Sequence, residues 1–282
     1  MPLKIDKQIT ILFQRLDSMQ RIGSFPPLGC LSKVLHHTIG GTQRIRAGGM
    51  CKPIRPQDAA FFASAAVEMW LRGVHSFLIS AGVYKISPIW ASVCGYYSSH
   101  YCVRALAHLL GFFQIRSKRC VAKIEIEAGT VYQCHFNDKT MREHVFYWQV
   151  VKESPRFSDN PFLRTNLENS DESVHRVTAN YYDHVNHFPQ FCPLDKQELK
   201  NRISRISKIE LTAAPVFDKD QFPEVDKVQL VAYHRIIIFR NFLDEILGGK
   251  NRYWNYYRAP SWSSDYLDFQ IVPAAELENL RH

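Results

Sequence analysis

The sequence predicts a mainly α protein, a helical bundle with a small β-hairpin insertion. Several long stretches carry apolar residues at helical spacing, and one short stretch near the middle alternates apolar and polar residues as a hairpin does. The 282 residues are 46% hydrophobic and 22% charged, which is typical of a globular chain and excludes a disordered one. A chain of this length can bury one large core or two modest ones.

The first region, residues 1–57, combines a short amphipathic helix over 4–19 with a long loop rich in glycine, proline and basic residues. The loop lacks the Gly-Lys-Ser/Thr ending of a phosphate-binding P-loop. We expect it to be either a flexible connector or a functional segment, in which Arg44 and Arg46 are candidate nucleic-acid contacts.

The second region, residues 58–153, is predicted to hold the core of the bundle. Asp58 can cap a helix that runs to about Ala81, and Ser87 with the following proline begins a second helix that ends near Gly111. The short linker between these helices makes them antiparallel neighbours.

Strict alternation over 120–127 and 131–136 then predicts the hairpin, and a helix follows over about 138–151. The third region, residues 154–282, is expected to be a helical extension packed on the core. Its predicted helices lie at about 172–184, 195–209 and 226–247.

Cysteine usage and hydropathy predict a cytoplasmic protein without a membrane span. The seven cysteines are odd in number and form no Cys-x-x-Cys pair, as expected in a reducing compartment. The first residues have no apolar core of signal-peptide length, and charged residues interrupt the most apolar stretch, 59–83. No cofactor or metal site is predicted, because the spacing of His175, His184 and His187 is only a weak metal-ligand signal.

The charge balance favours a polyanionic partner. There are 35 Lys and Arg residues against 27 Asp and Glu, which leaves a formal net charge of +8 at pH 7. Such an excess favours contact with nucleic acid but does not constrain the fold.

The second long helix carries His100, Arg104 and His108 at intervals of four residues, which places all three on one face. Because a row of basic side chains is costly to bury unpaired, we expect this face to meet solvent, a carboxylate or a ligand. Arginine suits phosphate, and a neutral histidine can act as a general base towards a ribose hydroxyl. The alternative is a polar helix face that lies against another helix or water.

Two later segments are further candidates for nucleic-acid contact. Lys200 and Arg205 belong to a basic helix with a thin apolar stripe, which either follows a phosphate backbone or is a solvated outer face. Arg252 and Arg258 alternate with aromatic residues over 252–262. These aromatics either stack on single-stranded bases or dock the segment onto the bundle.

The run GYYSSHYCVRALAHLLGF at 95–112 resembles the second core helix of HEPN-like proteins (higher eukaryotes and prokaryotes nucleotide-binding). In that family, paired tyrosines and small residues lead into an Arg-Ala-Leu-Leu stretch closed by glycine. The resemblance covers about residues 58–150, including EHVFYWQVV at 143–151, and extends to the last long helix. It implies a helical fold and contact with RNA rather than DNA.

Ribonucleases of this family carry an Arg, often followed by a polar residue, and then a His after four to six intervening residues. Arg104 and His108 have only three residues between them. Arg240 and Asn241, which are also candidate nucleic-acid contacts, begin the motif, but no histidine follows at the required distance. The catalytic motif is therefore incomplete.

The resemblance implies an RNA-binding protein of a prokaryotic toxin–antitoxin or antiviral defence module, acting with a protein partner or as a homodimer. If it cleaves RNA, it does so without a metal, with Arg104 on the phosphate and His100 or His108 moving the proton. The alternative is a non-catalytic accessory subunit of a larger nucleic-acid-processing complex, docked through its apolar helices and aromatic tail.

Overall fold

The computed structural model describes residues 3–19, 50–115, 120–127, 131–137, 142–164, 196–209 and 225–258. Within these ranges the chain forms eight helices and four strands, which confirms the mainly α fold with a β-hairpin. The elements in chain order are α1 (Ile5–Ser18), β1 (Met50–Pro53), α2 (Pro56–Val83), α3 (Pro88–Leu109), β2 (Phe112–Ile115), β3 (Cys120–Glu127), β4 (Val131–Asn137), α4 (Glu143–Glu153), α5 (Pro161–Arg164), α6 (Lys196–Ser207), α7 (Val225–Leu247) and α8 (Arg252–Arg258). No helix in these ranges is both long enough and apolar enough to cross a bilayer.

Helices α2 and α3 form the predicted antiparallel pair. Ser87 caps α3, because its hydroxyl accepts the N–H of Trp90 at 3.3 Å and a proline occupies the first turn. The predicted capping role of Asp58 is wrong. Helix α2 begins at Pro56, whose fixed φ suits a first helical residue, and Asp58 lies in the first turn, where it pairs with Arg55 at 2.8 Å.

Small residues let three helices approach closely. The Ser98 hydroxyl of α3 donates to the Gly73 carbonyl of α2 at 2.7 Å. On another side of α3, a Cβ placed on Gly95 would lie 2.7 Å from Cγ1 of Val228 on α7. Helix α7, which the sequence assigned to an extension, thus packs directly on α3 and shares its hydrophobic core.

The hairpin belongs to a four-stranded antiparallel sheet of order β1-β4-β3-β2. Strands β1 and β2 were not predicted. The chain enters β2 through Gly111, whose φ of +87° and close approach to the Ile124 carbonyl leave no space for a side chain. One face of the sheet packs Phe113, Ile124 and Phe136 against Phe62 of α2.

The described part of the aromatic segment, helix α8, docks onto the bundle, which was one of the two alternatives. Tyr253 and Trp254 of α8 are fully buried, and the Trp254 ring lies 5.2 Å from that of Trp70 on α2. The carboxylate of Asp17 on α1 accepts the backbone N–H groups of Arg252 and Tyr253. The first and last described helices are therefore joined.

Candidate functional site on helix α3

His100, Arg104 and His108 share one face of α3, as their spacing predicts. That face is covered by α4 and β2 rather than open. His100 and His108 are only 4% and 3% exposed, and Arg104 is half-buried. Both histidines thus lie on a helix face that packs against other elements, which was the alternative to a face that meets solvent, a carboxylate or a ligand.

His108 lies deepest. Its ring centroid is 4.3 Å from that of Phe113 on β2 and 5.5 Å from that of Tyr147 on α4. Burial lowers the pKa of His108 well below its ordinary value, and the charge of Arg104 lowers it further. The imidazole is thus neutral at pH 7, and its Nε2 accepts a hydrogen bond from Nε of Arg104 at 3.4 Å.

Arg104 is held in place by its neighbours on α3 and α4. Besides its hydrogen bond to His108, its guanidinium carbon lies 5.2 Å from the ring centroid of Tyr147, a cation–π contact. The Tyr147 hydroxyl in turn accepts the backbone N–H of Gln114 on β2 at 3.0 Å. The orientation of Arg104 is therefore fixed by buried groups, while the side chain itself keeps partial contact with solvent.

His144 also belongs to the site, although no sequence pattern predicted it. Its ring stacks on His100 with centroids 3.9 Å apart, and its Nδ1 lies 2.9 Å from the Tyr96 hydroxyl. His144 and Tyr147 are three residues apart and so share the face of α4 that meets α3. That spacing is the signal that could have identified it.

Two half-buried tyrosines of α3 complete the site. The ring of Tyr97 lies 6.2 Å from that of Tyr101 and 6.5 Å from that of His144. We call the group formed by Tyr97, His100, Tyr101, Arg104 and His144 the α3–α4 cluster. It combines a guanidinium, two stacked imidazoles and two phenol rings, which are groups that can contact phosphate, move a proton and stack on a base.

The other predicted nucleic-acid contacts are dispersed. Lys200 and Arg205 are exposed on α6, whereas Arg202 between them turns inward to Gln229 and Asp226 of α7. The remaining predicted contacts that the structure describes differ in their exposure to solvent. Asn241 and Arg252 are exposed, Arg258 is partly buried and paired with Asp244, Arg240 is buried, and Arg44 and Arg46 fall outside the described residues.

The described ranges contain no group of three or more His, Cys, Asp or Glu side chains that could hold a metal ion. The weak candidates His175, His184 and His187 lie outside those ranges. Comparison of the chain with protein-family models, curated proteins and solved structures finds no match.

Proposed function

We propose that the protein binds RNA through the α3–α4 cluster. The observation that supports this most directly is the stack of His144 on His100, 3.9 Å apart, beside the partly exposed Arg104. Two partly exposed tyrosines of the same helix, Tyr97 and Tyr101, lie beside this stack. This combination of a phosphate-binding side chain with stacking rings suits a single strand better than a duplex.

We assign a role to each residue of the α3–α4 cluster from its exposure to solvent. Arg104 contacts a backbone phosphate, and Tyr97 and Tyr101 offer ring faces to bases. His108 stays neutral behind Arg104 and positions it by accepting its Nε–H. In an enzymatic version, the partly exposed His144 would take the proton of the ribose 2′-hydroxyl and return it to the leaving oxygen without a metal, and the buried His100 would hold the His144 ring in place by stacking.

The wider role follows from the resemblance of 95–112 to HEPN-like proteins. It points to a cytoplasmic component of a prokaryotic toxin–antitoxin or antiviral defence module. Such a component would act as a homodimer or with a protein partner.

A salt titration with a fluorescent single-stranded RNA tests the binding proposal. Arg104→Gln should weaken binding on the order of tenfold at low salt and reduce the slope of log K against log salt by about 0.7, the value for one phosphate contact on a single strand. Arg72→Gln is the matched control, because Arg72 is an exposed arginine of α2 paired with Glu68 at 2.7 Å. Equal effects of the two variants, or no binding by the wild type at low salt, would reject the proposal.

A cleavage assay in EDTA tests the enzymatic version. His100→Gln and His144→Gln should each abolish cleavage of a labelled RNA, whereas His108→Gln should retain it if the variant keeps its fold by circular dichroism. Loss of cleavage only in the His108 variant would reverse the assigned roles. The absence of cleavage by the wild type would reject the enzymatic version and leave a binding protein.

The second candidate, an accessory subunit, is favoured by one surface feature. Trp90 at the start of α3 is 59% exposed, and large aromatic residues on a surface are enriched where proteins bind each other. A pure scaffold would show no RNA affinity even at low salt, so the same titration separates the two candidates.

A further inference from the structure

A buried arginine of α7 has fewer partners than it needs. Arg240 is 4% exposed, and its Nη2 donates to the Asn241 side chain at 3.3 Å. Its Nε and Nη1 are buried without a hydrogen-bond partner among the residues that the structure describes. A buried guanidinium with unused N–H groups is strongly unfavourable unless something accepts them.

The carboxylate that acts on Arg240 electrostatically, that of Asp244, already has two other partners. Both oxygens of Asp244 are used, one by Nη2 of Arg258 at 2.9 Å and the other by Nε1 of Trp254 at 2.7 Å. Nε of Arg258 is also buried and, within the described part of the chain, lacks a hydrogen-bond partner. One carboxylate thus offsets only one of the two guanidinium charges, and three of their nitrogen atoms have no hydrogen-bond acceptor in the described part of the chain.

Arg240 stays protonated at neutral pH although it is buried. Burial lowers the pKa of Arg240 to about 10, and the charge of Arg258 adds to the effect while Asp244 opposes it. The side chain therefore stays charged at neutral pH. A local excess of one positive charge remains where α7 meets α8.

We propose that Arg240 and Arg258 form a binding site for a single tetrahedral oxyanion, the phosphate group of a small ligand. A phosphate offers enough oxygens to accept N–H groups from all three nitrogen atoms at once, and guanidinium forks match its geometry. The side chains of Asp244 and Arg258 are 26% and 20% exposed, so the site reaches the surface at this end of α8. It shares no residue with the α3–α4 cluster and does not depend on the RNA-binding proposal.

Thermal unfolding of the full chain tests the site. Inorganic phosphate should raise Tm by about 3 °C at ten times its Kd, relative to sodium chloride of equal ionic strength. Arg240→Met should leave Tm unchanged or higher without phosphate, because it removes a charge that lacks partners, and should abolish the phosphate-dependent rise. Arg252→Met is the matched control, because Arg252 is an exposed arginine of the same helix as Arg258, and it should keep the rise.

A comparison of the rise in Tm with different ligands shows which kind of molecule carries the anion. A rise with AMP larger than that with inorganic phosphate would identify a nucleotide phosphate as the ligand, and the reverse order would identify free phosphate. An equal rise with acetate would overturn the assignment to a tetrahedral anion.

Two other results would overturn the site itself. One is an identical Tm of the wild type in phosphate and chloride. The other is an Arg240→Met variant that loses stability without ligand and keeps the phosphate-dependent rise, because Arg240 would then have a purely structural role. Arg104→Gln should leave the phosphate response intact, so that failure of this site and failure of the RNA proposal are distinguishable.

Discussion

The contact of α3 with α4 and the contact of α7 with α8 both bury basic side chains, but they meet the cost of burial in different ways. His108, between α3 and α4, is packed among aromatic rings and stays neutral. Arg240, near α8, keeps its charge while two of its nitrogens lack acceptors in the described residues. A histidine can give up its proton when buried, whereas an arginine cannot, so only the second contact calls for an external anion.

Arg235 shows that burial alone does not create such a demand. It lies five residues before Arg240 on the same helix and is fully buried. Its Nε donates to the Phe162 carbonyl at 3.0 Å, and its guanidinium lies 4.3 Å from the ring centroid of Trp148. Two arginines on one helix are thus equally buried but differently satisfied, and only the less satisfied one is a candidate ligand site.

The same substitution at both arginines gives the largest expected difference. Arg235→Met should lower the free energy of unfolding by about 2–4 kcal/mol, because it removes a charge-assisted hydrogen bond and a cation–π contact and leaves the Phe162 carbonyl without its donor. Arg240→Met should leave it unchanged or raise it by up to about 2 kcal/mol in chloride buffer, because it removes a buried charge that lacks partners in the described residues. Urea denaturation followed by circular dichroism measures both values. Equal losses in the free energy of unfolding would mean that Arg240 is as well satisfied in the folded chain as Arg235.

A single buried hydroxyl of α4, that of Tyr147, bonds the backbone of β2, and its removal gives the next largest effect. Tyr147→Phe removes the acceptor of the Gln114 N–H and should lower the free energy of unfolding by about 1–3 kcal/mol. Hydrogen exchange at the Gln114 amide should become faster, while exchange within α7 should not change beyond the global loss of stability. Unchanged exchange at Gln114 would show that this hydrogen bond does not hold β2 against α4.

Sequence patterns predicted the long helices well because their signals are local. Ser87 and the proline after it mark the start of α3, and the glycines at 248 and 249, both with positive φ, follow the last residue of α7. Strand β1 was missed because four residues are too few to show alternation. Its partners are also distant in sequence, since Cys51 pairs with His135.

The candidate site was predicted only in part for the same reason. Helical spacing alone places His100, Arg104 and His108 on one face. It does not show what covers that face, because Phe113 arrives from a strand and His144 from a helix beyond the hairpin. The unsatisfied state of Arg240 likewise depends on Asp244 being used by α8, a tertiary contact without a local sequence signal.

The pH dependence of stability gives the smallest effect and tests whether His108 is neutral. The pKa of His108 is depressed in the folded protein, so below about pH 6.5 the unfolded chain binds a proton that the folded chain does not. Stability should therefore fall as the pH falls through this range, by up to about 1.4 kcal/mol per pH unit from this residue.

The substitution His108→Phe keeps a ring between Phe113 and Tyr147 and removes the titration. Between pH 7.5 and 5.5 the variant should lose about 1 kcal/mol less stability than the wild type, measured by urea denaturation at each pH. His234 is unchanged in both proteins, and because burial also lowers its pKa it contributes the same acid-side loss to each. Parallel pH profiles would mean that His108 takes up a proton as readily in the folded chain as in the unfolded one, and the contrast with Arg240 would then be lost.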